Sequence, residues 1–182
     1  MSDTPHPHAY DMVLGLRVHR RFLEKPIPAG EVEAILKAAR WTGSSKNTQK
    51  WAFVVIDEQD DLESLATAGS FTRPIQAAAL AIALVWPSDG YEFDIGRVAQ
   101  NMMLAASSIG IGSCPVTLHD EDRAREVLGV PSDHRCRYVL AFGYPDKGAA
   151  AVERSERKAA GLGGRKPLSD IVSYGRFEPA DG

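Results

Sequence analysis

The sequence predicts an α+β fold in which helices outnumber the strands of a central sheet. Three observations lead there. Several segments repeat apolar residues at the i, i+3, i+4, i+7 spacing of one helix face. Short aromatic or β-branched runs bounded by polar residues read as strands, in a sheet of about four. The two kinds of segment do not alternate regularly enough for a uniform wheel of βαβ units. At 182 residues, 44% hydrophobic and 25% charged, the chain suits one globular domain over 1–182, of which 146–182 is a polar C-terminal tail.

In chain order, a short helix is expected over 11–18, with Tyr10, Val13 and Leu14 on one side. Pro26-Ile27-Pro28 interrupts, and a second helix places Val32, Ile35, Leu36 and Ala39 on one face. It runs out near Gly43, and a polar loop, 44–50, leads into the strand 51–56. Leu62, Leu65 and Ala66 suit another helix. The run 78–86, ended by Pro87, suits a buried strand, although its alanines also suit a helix. Over 94–109, Val98, Met102, Ala105 and Ile109 line one face of a long helix, and small residues around Ala105 would let a neighbouring helix come close. Gly110 stops it. Asp120 caps a helix carrying Ala124, Val127 and Leu128, which Gly129 and Pro131 end. Residues 138–142 form the last strand, closed by Gly143-Tyr144-Pro145. The polar, partly basic remainder is either mobile or held against something else, such as a second subunit.

Composition narrows the function classes. A net charge of −3 and a pI near 6.0 argue against a general nucleic-acid binder. No apolar run approaches the roughly 18 residues that span a bilayer, so no membrane association is expected. The N-terminus, with His6, His8 and Asp11, lacks a basic-then-apolar export pattern. Cys114 and Cys136 have neither metal-ligand spacing nor a disulfide framework. Free thiols without an export signal suggest the reducing cytoplasm.

No phosphate-loop, zinc-helix or nucleophile-elbow motif is present, and Gly110-Ile111-Gly112 follows a helix instead of opening one. An enzyme without reactive groups of its own must borrow chemistry from a cofactor. Three segments could hold one. Arg17-Val18-His19-Arg20-Arg21-Phe22 could grip a phosphate, since Arg offers planar paired donors, although on spacing alone such a charge run more often is a solvated face. Ser44, Ser45, Asn47 and Gln49 could hydrogen-bond a flat heterocycle, or merely satisfy their own loop. Gly110 to Val116 could let backbone approach a ligand, with Cys114 a small packed residue.

In this order and spacing the segments resemble the nitroreductase family of FMN flavoproteins. The resemblance is carried by Arg20-Arg21-Phe22, Pro26-Ile27, Ser44-Ser45-Lys46-Asn47-Thr48-Gln49-Lys50-Trp51-Ala52-Phe53, Gln100-Asn101, Gly110-Ile111-Gly112-Ser113, Gly143-Tyr144-Pro145 and Arg165-Lys166-Pro167-Leu168, and covers residues 14–172. It implies a three-layer fold, with a mostly antiparallel sheet between helices, in an intertwined homodimer that binds FMN at the interface and packs its tail on the partner. The phosphate would fall to Arg20, with Arg17, His19, Arg165 and Lys166. The partner's Ser-Ser-x-Asn loop, here Ser44, Ser45 and Asn47 with Gln49 nearby, would lie over the flavin. Pro115, Val116, Thr117 and Leu118 would run along its edge, with the N–H of Thr117 or Leu118 facing N5. No side chain is assigned a catalytic role and no metal is expected.

The implied reaction is ping-pong: NADH or NADPH delivers hydride to flavin N5, and a small oxidant (a nitroaromatic, quinone, enone or free flavin) then takes it. Three departures bear on FMN affinity. Leu16 and Val18 stand where relatives often carry a basic residue and Ser, and Lys50 replaces the usual Pro. The short chain also implies an open flavin face with loose substrate choice. The rival reading is a flavin-binding or dimeric interaction module with little or no turnover. Nucleic-acid binding through the Arg17 to Arg21 run is disfavoured by the acidic balance and the lack of interleaved aromatics.

Overall fold

One of the two inner strands of the sheet, Leu80–Pro87, explains the architecture, because helices cover it on both faces and every residue from Leu80 to Trp86 is buried. The structure, a computed structural model, describes residues 7–178; residues 1–6, which carry part of the export-signal expectation, lie outside the described residues. The chain forms two compact units, Met1–Asp146 and Lys147–Gly182.

The first unit runs α1 (Pro7–Gly15), α2 (Ala29–Arg40), β1 (Ala52–Ile56), α3 (Gln59–Ala66), α4 (Arg73–Gln76), β2 (Leu80–Pro87), α5 (Glu92–Ser108), β3 (Gly112–Thr117), α6 (Glu121–Leu128) and β4 (His134–Gly143). Its sheet has the order β1-β2-β4-β3, with every neighbouring pair antiparallel. Alternation along β2 sorts side chains by size. Leu80, Ile82, Leu84 and Trp86 pack under α2 and α5 with Leu140 and Phe142. Ala81, Ala83 and Val85 face the other way, toward α3, α4 and α6 with Val139 and Ala141. Helix, sheet and helix thus form the expected three layers. A strand buried on both sides has no polar alternation, which is why 78–86 reads ambiguously in sequence.

Several elements differ from expectation. α1 starts earlier and ends at Gly15, leaving Val18 in an extended arm; its Tyr10, Val13 and Leu14 are exposed. The buried face of α5 is turned from the expected one: Ile95, Val98, Met102, Met103 and Ala106 are buried, whereas Ala105 is half-buried and Ile109 exposed. β3 was concealed by its Gly and Pro; Pro115 is tolerated because β3 is an edge strand. β4 extends back to His134, where Cys136 is buried and Arg135 makes a two-pronged bond to Glu121 at 2.7 and 2.9 Å. That guanidinium holds the Glu121 carboxyl below its ordinary range.

The second unit contains an element with no apolar signature, α7 (Lys147–Ala159), built from alanines and charged helix formers. After it, Leu162, Leu168, Ile171, Tyr174 and Phe177 are all exposed. No helix among the described residues is long and apolar enough to cross a membrane.

Candidate functional site

The extended arm that follows α1 is laid along the sheet by two backbone contacts. Val18 bridges Ser113 of β3, where the His19 N–H donates to the Ser113 carbonyl at 2.9 Å. Phe22 bridges Pro145, and the Leu23 N–H donates to the Tyr144 carbonyl at 2.9 Å. Gly143 makes this approach possible: a Cβ there would lie 2.7 Å from both Cβ and Cγ of Phe22. At Gly112 a Cβ would lie 2.8 Å from Pro145 Cγ and 3.0 Å from His19 Cβ. The Gly-x-Gly and Gly-Tyr-Pro motifs are therefore seats for the arm.

In an extended segment, residues two apart face the same side. Val18 and Arg20 both line a cleft of about 580 Å³ that β3 borders with Cys114, Pro115, Val116 and Thr117. Across it stand Ser70, Phe71, Arg73, Pro74 and His119. Thr72 pins that segment, its buried hydroxyl donating to the Ala66 carbonyl at 2.7 Å. Phe71 is 80% exposed and meets the His119 ring edge-on. Two arginines, Arg20 and Arg73, thus line one cleft with an apolar wall. Sequence reading missed Ser70, Phe71, Arg73 and His119; the Thr-Arg-Pro turn was the available signal, and it looks like any other helix start.

Within the first unit, not every expected residue lines this cleft. Arg17 turns back, its Nη1 donating to the carbonyls of Leu14 and Leu16 at 2.7 and 2.8 Å, so it finishes α1. His19 is half-buried beside Gly112 and is not part of the cleft wall. Leu118 is fully buried and its N–H already donates to the Arg137 carbonyl at 2.8 Å, which removes it as a donor; Thr117 borders the cleft. Arg165 and Lys166 belong to the second unit, where Arg165 Nη1 donates to the Gly164 carbonyl.

The loop 44–49 lies at the other edge of the sheet. Ser44 Oγ accepts from the Gln49 N–H at 2.9 Å, and the Asn47 N–H donates to the Ser44 carbonyl at 3.0 Å. Lys46, Asn47 and Gln49 have φ of 52°, 54° and 48°, three left-handed residues that are not glycine. Ser45 and Asn47 are exposed. One cross-strand row, Phe53–Leu84–Tyr138–Thr117, joins the two edges. Three strand spacings make that about 14 Å. The loop enters β1 at the end of the sheet where β3 finishes at Thr117, so both features share one end and occupy opposite edges.

The departures find partners. Lys50 Nζ bonds the Asp89 carboxylate and holds its pKa down, so the added charge is balanced locally. Leu16 packs into the core beneath α5, and Val18 forms part of the cleft wall. Cys114 is buried, and burial pushes the Cys136 thiol up to about 11, so neither resembles an activated nucleophile.

Comparison with known proteins agrees with this geometry. The chain is 28% identical over 157 residues to an Archaeoglobus fulgidus protein provisionally named NADH dehydrogenase/NAD(P)H nitroreductase, covering 80% of this chain and 90% of that one. It superposes with a TM-score of 0.76 on a nitroreductase family protein of Clostridium difficile 630, at 26% identity and covering 92% and 98% of the two chains. With the FMN-dependent nitroreductase of Clostridium difficile R20291 the TM-score is 0.71, at 25% identity and covering 75% and 87%. The sequence profile of the nitroreductase family matches residues 15–89 and 87–144. The matched residues include the arm, both glycine seats and β3, and the chain belongs to the nitroreductase family.

Proposed function

We propose that this protein is an NAD(P)H-dependent FMN oxidoreductase of the cytoplasm, working as a homodimer in which each flavin is enclosed by both subunits. The observation that carries this reading is the division of the expected contacts between opposite sheet edges. Arg20 and β3 stand at one edge and Ser44, Ser45, Asn47 and Gln49 at the other, with the backbones of β1 and β3 about 14 Å apart. A second copy brings a loop to each cleft. The exposed apolar side chains of α1, with Trp41 and Phe93 at 80% and 78% exposure, give such a copy a surface to cover.

The residues present fit FMN. The cleft volume falls within the ~300–1,000 Å³ usual for ligand sites. Arg20 supplies paired donors for a phosphate, and Arg73 adds a second cation to the cleft. Val18, Phe71, Pro74 and Val116 give a ring system an apolar wall, and Pro115 to Thr117 run along its edge. Bound there, FMN supplies hydride transfer between NADH or NADPH and a small oxidant such as a nitroaromatic, quinone or enone, in alternating half-reactions. The chain's own part is to orient: Thr117 offers backbone at the cleft's rim, and no side chain acts as acid or base.

An absorbance spectrum tests this. The purified protein, as isolated or after FMN addition, is expected to show a protein-bound flavin band that bleaches on anaerobic addition of NADH or NADPH and returns with the oxidant. Flavin that is bound but never bleached would support the interaction module instead. A protein that FMN cannot reconstitute would remove the proposal.

A further inference from the structure

We propose that Asn101 and Arg97 are positioning residues that set the 44–49 loop for the flavin, an inference resting on the function proposed above. The two lie four residues apart on α5 and so share one helix face. Asn101 Nδ2 donates to Thr42 Oγ1 at 2.7 Å, and Arg97 Nη1 donates to the Gly43 carbonyl at 2.6 Å. Thr42 is 4% exposed, so its hydroxyl is shielded from bulk water and depends on a protein partner. A Cβ on Gly43 would lie 3.2 Å from the Arg97 guanidinium, which shows how closely the chain passes. Asp94, at 3.5 Å, helps hold that guanidinium in place.

Immediately beyond these contacts come Lys46, Asn47 and Gln49, all in left-handed backbone. Such a conformation persists where surrounding structure over-determines it. The bond between Ser44 Oγ and the Gln49 N–H closes the loop on itself but does not fix where it stands. The clamp to α5 does, by anchoring the two residues that precede it. The Gln100-Asn101 pair, a motif that the flavin contacts leave without a task, thereby gains one: Asn101 acts on the flavin through Thr42.

FMN dissociation constants of full-length variants, read by absorbance titration, test the clamp. Asn101→Leu and Thr42→Val are each expected to weaken FMN binding about fivefold to tenfold. The double variant is expected to be no worse than either, because both remove one bond. Thr42→Ser keeps the hydroxyl and is expected to restore the wild-type constant. Arg97→Met, at a side chain 46% exposed, keeps the test open should the Asn101 variant fail to fold, and is expected to shift affinity the same way. A purely structural role would lower melting temperatures and leave the affinity of the folded fraction unchanged, and that result overturns the clamp. A wild-type protein that binds no FMN overturns the function itself, and with it the clamp.

Discussion

Replacing Arg20 and Arg73 together by Ala is expected to weaken FMN binding by about two to four orders of magnitude, since each charge-assisted contact contributes roughly 1.5–3 kcal/mol. Both arginines line the same cleft, one delivered by the arm and one by the start of α4. Arg20→Ala alone should cost about tenfold to a hundredfold. Its effect should vanish with riboflavin, which lacks the phosphate. Arg20→Lys should recover only part of the loss, because an ammonium cannot reproduce the planar pair of donors. At saturating FMN the turnover number should hold, since these side chains bind and do not react. A titration showing less than a threefold loss in the double variant would remove the anionic end of the cleft from the account.

Gly143→Ala should be nearly as damaging although residue 143 touches no ligand. The new methyl would lie 2.7 Å from Phe22, far inside contact distance, so the arm must lift from the end of β4. Overpacking of this kind costs about 1–3 kcal/mol. Lifting Phe22 also withdraws Arg20, two residues earlier, so FMN affinity should fall at least tenfold along with stability. The double variant Gly143→Ala, Phe22→Ala should regain part of the lost affinity, since the clash disappears. Denaturant unfolding and FMN titration of the two variants check this. Equal, additive losses would mean that the arm is not seated through this contact.

These two cases show what the sequence made legible. Arg20 was readable because a basic run near Phe22 carries its own chemistry, and the sheet contacts explain why it faces the cleft while Arg17 does not: alternation in an extended arm, with Arg17 held by the end of α1. Gly143 and Gly112 were readable as motif members, but their purpose lies in distances to Phe22 and His19 that no one-dimensional pattern contains. Arg73 and His119 were invisible, because they meet Arg20 only after the sheet brings distant segments together. β3 was hidden by the same Gly and Pro that let an edge strand carry an arm beside it. α7 was hidden for the opposite reason, a helix made from propensity with no buried face to announce it.

The opposite-edge placement of loop and cleft leads to a direct measurement. A mixed dimer is assembled from one subunit carrying Arg20→Ala with Arg73→Ala and one carrying Ser45→Ala with Asn47→Ala, and its FMN is titrated. If each flavin is held by the arm of one subunit and the loop of the other, both lesions fall in one cleft and the second stays intact. One FMN should then bind per dimer with wild-type affinity and be reduced by NADH or NADPH. If no high-affinity site survives, loop and cleft serve the flavin within a single chain, and the shared-site account is wrong.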